Sequence, residues 1–305
     1  MKLVIDTDPG IDDAMAIFYA AAAPEIDLIG LTTVFGNVTT PIATRNALRL
    51  VEAAGLNIPV AAGADQPLML PPFPPSSQVH GDQGFGAIPA ADPRGTPDAQ
   101  NAVDFLSQVT REHPGEITVC AIGPLTNIAM VLQKDPDFTR NVSQIVIMGG
   151  SIEEGGNITP DAEANIYHDP HAADVVMASG ANVVLVGLDV THMILCTPRD
   201  FAAIADRAPR LGGMLGDMAE FYLAFYKSVG KFDGCSLHDP AAVIACTHPE
   251  LFDIRDMVIS VDCEGSTAGR TITAQNLDRS AIQVCMDVKS DAVKQLFLDR
   301  LALLD

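Results

Sequence analysis

Basic side chains are scarce in these 305 residues: 18 Lys and Arg stand against 39 Asp and Glu, a net charge of −21. Without clustered cations the chain cannot neutralise a phosphate backbone, which excludes a nucleic-acid partner. Docking on an anionic membrane surface is excluded for the same reason. No stretch approaches the roughly 18 uninterrupted apolar residues that a membrane-spanning helix needs. The N-terminus reaches Asp6 after a short apolar run, too short for a signal-peptide core, so a cytoplasmic protein is expected. The cysteines at 120, 196, 235, 246, 263 and 285 form no C-x-x-C pair. Their apolar neighbours, as in Ile117-Thr-Val-Cys120, read as those of buried thiols and argue against a disulfide frame or zinc site.

What is present is an ordinary globular composition, 48% apolar with 24 Gly and 21 Pro, with ample material for a core. Short β-rich runs alternate with Ala/Leu-rich stretches. Strands are expected over 2–6, 28–35, 59–62, 117–122, 144–148 and 182–188, and helices over 12–23, 41–54, 98–112, 125–133 and 170–179. Such alternation, with continuously apolar strands, predicts an α/β fold: a mostly parallel central sheet flanked by helices on both faces. Two segments interrupt it, a Pro-rich loop over 66–97 and a helical insertion from 198 to about 229. No linker separates two units, so one domain over 1–305 with helical and loop insertions is expected.

The densest chemical signal is Asp6-Thr7-Asp8-Pro9-Gly10-Ile11-Asp12-Asp13-Ala14, at the end of the first strand and over the start of the first helix. Helix capping and the helix dipole account for Asp12 and Asp13. They leave Asp6 and Asp8 unexplained, since clustered carboxylates repel one another unless a cation is present. Every nearby donor is oxygen, which suits Ca²⁺ or Mg²⁺ and not zinc. An EF-hand is excluded because Ile17 stands where its bidentate Glu is required. An Asp-x-Asp phosphohydrolase using Mg²⁺ is the alternative enzyme, although Gly10 replaces its usual Thr or Val and no matching downstream Lys is evident.

Other strand ends repeat the theme: Gly36-Asn37, Gly123-Pro-Leu-Thr-Asn127 and Gly149-Gly150. Each alone reads as a turn or helix start, but in an open α/β sheet they converge on the crevice where ligands bind. The run Asn157-Ile-Thr-Pro-Asp-Ala-Glu163-Ala-Asn165 offers a carboxylate and two amides, suited to sugar hydroxyls or equally to capping the following helix. His238-Asp239-Pro240 pairs an imidazole with a carboxylate ahead of an apolar helix, where Asp239 would also be a good N-cap. His80-Gly81-Asp82-Gln83-Gly84-Phe85-Gly86 is not the dinucleotide fingerprint and follows no strand, so nucleotide-cofactor binding there is excluded.

Taken together, the aspartate cluster, Gly36-Asn37, Gly123 to Asn127, Met148-Gly-Gly150, Glu163-Ala-Asn165 and His238-Asp-Pro240 resemble the nucleoside hydrolases of the inosine-uridine-preferring type. The motifs occur in that family's order, from residue 5 to 240. The resemblance implies the nucleoside hydrolase fold, a tightly held Ca²⁺, and hydrolysis of the N-glycosidic bond of ribonucleosides to ribose and free base. It implies that Asp8, Asp13 and Asp239, with the carbonyl of Ile122, hold the ion, and that Asp8 is the general base. It places Asp12, Asn37 and Asn165 on the ribose, Asn157 and Glu163 on the 5′-hydroxyl, and Met148 against the sugar.

Cleavage builds oxocarbenium-like charge at C1′, which carboxylates stabilise, and the departing base needs an acid. His238 is the candidate, since its ordinary pKa lets it donate near neutral pH. His80 is expected as a loop-borne contact to substrate. Tyr222 and Tyr226, four apart on one helix face, reach the base or serve as half-buried core aromatics. Purine-restricted relatives grip the base between tryptophans, and this chain has none, so it resembles the pyrimidine-preferring or broadly acting branches. Uridine, cytidine and inosine are the expected substrates. His168 and His171 are expected near the rim of the site. Family members are usually dimers or tetramers, so a homodimer or homotetramer is expected. A nucleoside- or ribose-binding protein without turnover is the alternative from another class.

Overall fold

The computed structural model of the chain describes residues 1–230, 233–273 and 278–305. Apolar runs form the strands β1 (Lys2–Thr7), β2 (Asp27–Thr33), β3 (Val60–Ala62), β4 (Ile117–Ala121), β5 (Gln144–Met148) and β6 (Val183–Val186). They lie parallel in the order β3-β2-β1-β4-β5-β6, continued by strand Ile282–Val288 parallel to β6. Strand Phe252–Met257 closes the edge antiparallel to it. The result is the helix-flanked, mostly parallel sheet expected from the alternation of elements.

Period-two alternation divides the core between the two faces. On one side Leu3 and Ile5 of β1 pack with the first helix, Ile11–Ala22, and with helices Leu211–Ser228, Asp239–Thr247 and Ser290–Leu301. On the other, Val4 joins helices Ala102–Glu112, Thr126–Lys134 and Pro170–Met177. The first helix is buried along nearly its whole length, so its N-terminus is fixed in place by packing.

The helical insertion expected over 198–229 consists of two helices, Pro198–Arg207 and Leu211–Ser228. Pro209 supplies no backbone N–H and disfavours helical geometry at Ala208, so the chain turns there. The second helix restarts with the N–H groups of Arg210 and Leu211 bonded to the Asp305 carboxylate. The loop over 66–97 contains a helical turn, Ser77–His80. The antiparallel edge strand Phe252–Met257 is not legible in the sequence because Asp253, Arg255 and Asp256 interrupt any apolar run. The small pairs Leu195–Cys196 with Cys235–Ser236 and Ile259–Val261 with Thr271–Thr273 have strands of only two or three residues. Positions 231 and 232, in the Gly- and charge-containing stretch that links the helical insertion to Leu237, lie outside the described residues. No helix among the described residues is long and apolar enough to cross a membrane.

The C-terminal helix braces the first helix through Phe297, which is fully buried and stacks on Tyr19 with ring centroids 6.4 Å apart. Phe297→Ala should therefore cost about 3–5 kcal/mol of stability. A urea unfolding curve checks this, and a midpoint close to wild type would show that the helix is not needed as a brace.

Candidate active site

β1 is where the strand order reverses. The chain runs from β1 outward to β2 and β3, then returns to β4 on the other side of β1 and continues to β5 and β6. At such a switch point the following connections diverge to opposite faces and leave a crevice beyond the strand ends. Here the ends are Asp6-Thr7-Asp8 of the β1 turn and Ile122-Gly123 of the β4 turn, locked together by the Ile122 N–H to the Asp6 carbonyl at 2.8 Å.

Asp6 and Asp8, one strand period apart, have different fates. The Asp6 carboxylate accepts from Thr32 Oγ1 at 2.5 Å and Asn127 Nδ2 at 2.8 Å. It ties strand ends together and does not line the cavity. Asn127 also donates to the Thr33 carbonyl, so its motif is a strut as well. Asp8 is wedged between two glycines. A Cβ at Gly123 would lie 2.5 Å from Asp8 Oδ1, and one at Gly36 would overlap Oδ2. Gly36 also has φ +154, so glycine there serves both conformation and close approach. Asp8 Oδ2 accepts from the Asn37 N–H at 2.6 Å.

Asp13 caps the first helix. Its Oδ1 accepts from Thr7 Oγ1 at 2.5 Å and from the Asp8 N–H at 3.2 Å. Its Oδ2 accepts from the Gly10 N–H at 2.9 Å and from Asn37 Nδ2 at 3.1 Å. Asp239 opens helix Asp239–Thr247 from the far side of the crevice. Carboxylate oxygens of Asp12, Asp13 and Asp239 come within 4.8 Å of one another, all three residues buried. The expected trio had Asp8 in place of Asp12. Asp8 nevertheless acts on Asp239 through charge.

These acids are buried at one another's expense. Burial pushes the carboxyls of Asp12 and Asp13 up to about 6 and that of Glu163 up to about 7. Burial and the charge of Asp13 push Asp8 well above the ordinary range; burial and the charge of Asp12 do the same to Asp239. Asp8 Oδ1 and Asp12 Oδ1 are buried with no hydrogen-bond partner among the described residues. Orphaned buried oxygens within a knot of like charge are what a hard divalent cation satisfies, and the donor set is all oxygen. The residues present fit such an ion.

The opposite wall comes from helix Leu211–Ser228 and the turn before helix Asp239–Thr247. Tyr222 donates from its hydroxyl to Asp12 Oδ2 at 3.1 Å, and Tyr226 is hydrogen-bonded to His238 Nε2 at 2.7 Å. Thr191 Oγ1 holds His238 Nδ1 at 2.8 Å, so both ring nitrogens are fixed. The two tyrosine rings meet edge to face at 5.0 Å, and burial raises both hydroxyl pKa values, keeping them protonated. His80 lies 3.8 Å from Asp12 Oδ1, yet its Nδ1 accepts the Ile11 N–H at 3.2 Å. A ring nitrogen accepting an amide proton is unprotonated, and burial lowers the His80 pKa to about 4, so this contact is not an ion pair.

One cavity is lined by Asp12, Asn37, His80, Ile122, Met148, Asn157, Glu163, Asn165, Tyr222, Tyr226, His238 and Asp239, while Asp8 and Asp13, both buried, are not among its lining residues. Several also hold the wall itself. Glu163 accepts three backbone N–H groups, from Gly150, Asn165 and Ile166, capping helix Ala164–His168. Asn165 Nδ2 donates to the carbonyls of Ile122 at 3.0 Å and Met148 at 3.2 Å. Asn157 Oδ1 accepts the Ala164 N–H. His168 and His171, expected near the rim, do not line the cavity; His168 is buried with its ring 5.7 Å from Phe73.

Sequence reasoning passed over His192, Phe225, Val229, Ile158 and Gln78, which also line the cavity. It also passed over Asn46, fully buried, whose amide donates to the carbonyls of Pro9 and Gln83 and so ties the aspartate turn to the His80 loop. No motif marks these positions; only the tertiary fold brings them in.

A doubly wound sheet with buried acids and an imidazole at its switch point is the arrangement of an α/β enzyme site. The family model described as inosine-uridine preferring nucleoside hydrolase matches residues 3–295. The chain belongs to that family. It is 42% identical over 317 residues to a protein named probable uridine nucleosidase 2 from Arabidopsis thaliana, covering 98% of this chain and 97% of the relative. Among solved structures, a plant nucleoside hydrolase superposes with a TM-score of 0.96 at 38% identity, over 99% of this chain and 98% of the other. A purine-preferring ribonucleoside hydrolase from Gardnerella vaginalis has the same TM-score at 35% identity, over 100% and 99%.

Because burial raises these carboxyl pKa values, the folded chain binds more protons than the unfolded one from about pH 4 upward. Their contribution to stability is therefore lost as pH rises towards 8. Metal-free protein should melt at a lower temperature at pH 8 than at pH 5, and added CaCl₂ should raise the melting temperature more at pH 8. A flat profile with no response to calcium would contradict the arrangement.

Proposed function

We propose that this protein hydrolyses the N-glycosidic bond of ribonucleosides such as uridine, cytidine and inosine, with Ca²⁺ as its resident cation. The observation that carries the reading is the convergence of buried, partly orphaned carboxylates and a doubly held imidazole on one cavity at the switch point. Asp8, Asp13, Asp239 and the Ile122 carbonyl would hold the ion, with Asp12 at its border with the sugar. When bound, Ca²⁺ would neutralise the acid cluster, anchor the ribose diol and acidify the attacking water.

The chain's own groups divide the remaining work. Asp8 Oδ1, buried and unpartnered among the described residues, takes the proton of the attacking water. Asp12 and Asn37 hold ribose hydroxyls. Asn165 does so through Oδ1, since its Nδ2 is committed to two carbonyls. Asn157 Oδ1 is likewise committed, so its NH₂ donates to the 5′-hydroxyl beside Glu163. Met148 packs on the sugar, and His80, as a neutral ring, borders it. Carboxylates around the sugar stabilise positive charge developing at C1′.

On the leaving-group side, the Tyr226 hydroxyl and His238 Nε2 form a pair across which a proton can pass to the departing base. Tyr222 links Tyr226, 3.5 Å away, to Asp12, so the acid wall and the proton-donating wall are physically connected.

A reducing-sugar assay on uridine and inosine should show turnover that chelation abolishes and calcium restores. Release of phosphate from a phosphomonoester, with nucleosides inert, would favour a phosphohydrolase instead. Nucleoside binding with no turnover would indicate a binding protein. His238→Ala should lower kcat on inosine by about 10²–10⁴-fold, the usual worth of general-acid help. Asp8→Asn should keep measurable nucleoside binding and lose turnover. Full activity in either variant would remove that residue from its role.

A further inference from the structure

A second imidazole stands beside His238. Helix Leu188–Thr191 supplies Thr191 to His238 Nδ1, and the next residue, His192, meets the His238 ring edge to face with centroids 5.6 Å apart. His192 lines the same cavity, its side chain only 13% exposed. Its Nδ1 lies 3.3 Å from Glu154 Oε1. An ionised carboxylate can only accept, so the proton of this contact belongs to Nδ1 and the ring's orientation follows Glu154.

Glu154 is not a loosely placed surface acid. The loop that carries it is pinned by Asp189, from the same helical turn as Thr191. Asp189 Oδ2 accepts the Ile152 N–H at 2.8 Å, while Oδ1 accepts the Glu153 and Glu154 N–H groups at 2.7 and 3.2 Å. One short turn thus fixes His238 directly through Thr191 and steers His192 indirectly through Asp189 and Glu154. The two histidines, set edge to face, border the same cavity, and one of them is the proposed leaving-group acid.

We propose that His192, oriented by Glu154, is a specificity-determining contact to the leaving base. The proposal rests on the nucleoside-hydrolase reading above. His192 gives the heteroatoms of a nucleobase a hydrogen-bonding partner that the aromatic residues of the same wall, Tyr222 and Phe225, do not supply at that edge. An aryl leaving group without ring nitrogens gains little from it.

The test compares kcat/KM on uridine and inosine with kcat/KM on p-nitrophenyl riboside, a donor whose leaving group has no nucleobase edge. In His192→Ala the nucleoside-to-aryl ratio should fall roughly tenfold, the worth of one hydrogen bond in a buried site. Glu154→Gln, an exposed position that leaves the fold intact, should lower the ratio in the same direction. In the His192→Ala background it should have no further effect, because two members of one linked pair are not additive. His192→Gln, which keeps an N–H donor, should recover part of the ratio. An unchanged ratio in His192→Ala, an equal loss on both donors, or additive effects of the two substitutions would overturn the proposal while leaving the hydrolase reading intact. A wild-type protein inert on every nucleoside would overturn that reading itself and the base contact with it.

Discussion

Like charges packed at the end of one strand govern the rest of this molecule. Desolvating a carboxylate costs on the order of several kcal/mol per ion, and neighbours of the same sign add to the cost. Part of it is met within the chain. Asp13 takes two backbone N–H groups and the Thr7 hydroxyl at the positive end of the first helix, and Asn37 bridges Asp8 and Asp13. The glycines at 36 and 123 are dictated by the same demand, since any side chain there would occupy the space of the Asp8 carboxylate. Among the described residues Asp6 Oδ2, Asp8 Oδ1 and Asp12 Oδ1 stay without a partner. Of these only Asp12 lines the cavity, and buried acids with unmet oxygens are where an additional positive charge is stabilised.

The second wall has a different origin. It is carried by the helical insertion and by segments that meet through the small pair Leu195–Cys196 with Cys235–Ser236. That pair joins the stretch bearing Thr191 and His192 to the stretch bearing His238 and Asp239. Its two-residue strands contribute little by themselves, but their register sets the distance between a histidine and the groups that orient it. The Tyr222 contact to Asp12 then connects this wall to the acid cluster. A displacement of helix Leu211–Ser228 would disturb both.

Much of this was legible in the sequence, and the reason is local. The sheet follows from short apolar runs, and the acid cluster and the strand-end turns are contiguous motifs that chain direction alone places at one end of the sheet, while His238-Asp239 is a contiguous motif brought there by the small pair Leu195–Cys196 with Cys235–Ser236. Legibility failed where two segments had to be brought together. Asp6 looks like Asp8 in the sequence, and only the positions of Thr32 and Asn127 reveal it as a strut. The approach of Asp12, beside Asp13, to Asp239 depends on how the starts of two distant helices meet, which no motif encodes. His168, expected at the rim, is taken up by Phe73 from the Pro-rich loop. His192 carries no signature because its role depends on Glu154 and Asp189, held by tertiary hydrogen bonds.

Charge also bears on which substrates can enter. The described residues lining the cavity include Asp12, Glu163 and Asp239 and no Lys or Arg, and Asp8 and Asp13 are buried without lining it. Even with one divalent cation in place, ionised carboxylates would outnumber its charge, and the protein's −21 extends the same sign outward. A neutral nucleoside meets no barrier in such a field, whereas a phosphate ester must bring its own negative charge against it, with no cationic side chain among the described lining residues to receive it. A field of that sign would stabilise both a bound cation and an oxocarbenium-like transition state, and the same sign opposes the approach of nucleotides and phosphomonoesters. A phosphohydrolase would need the opposite arrangement, with cationic groups aimed at the transferring oxygens.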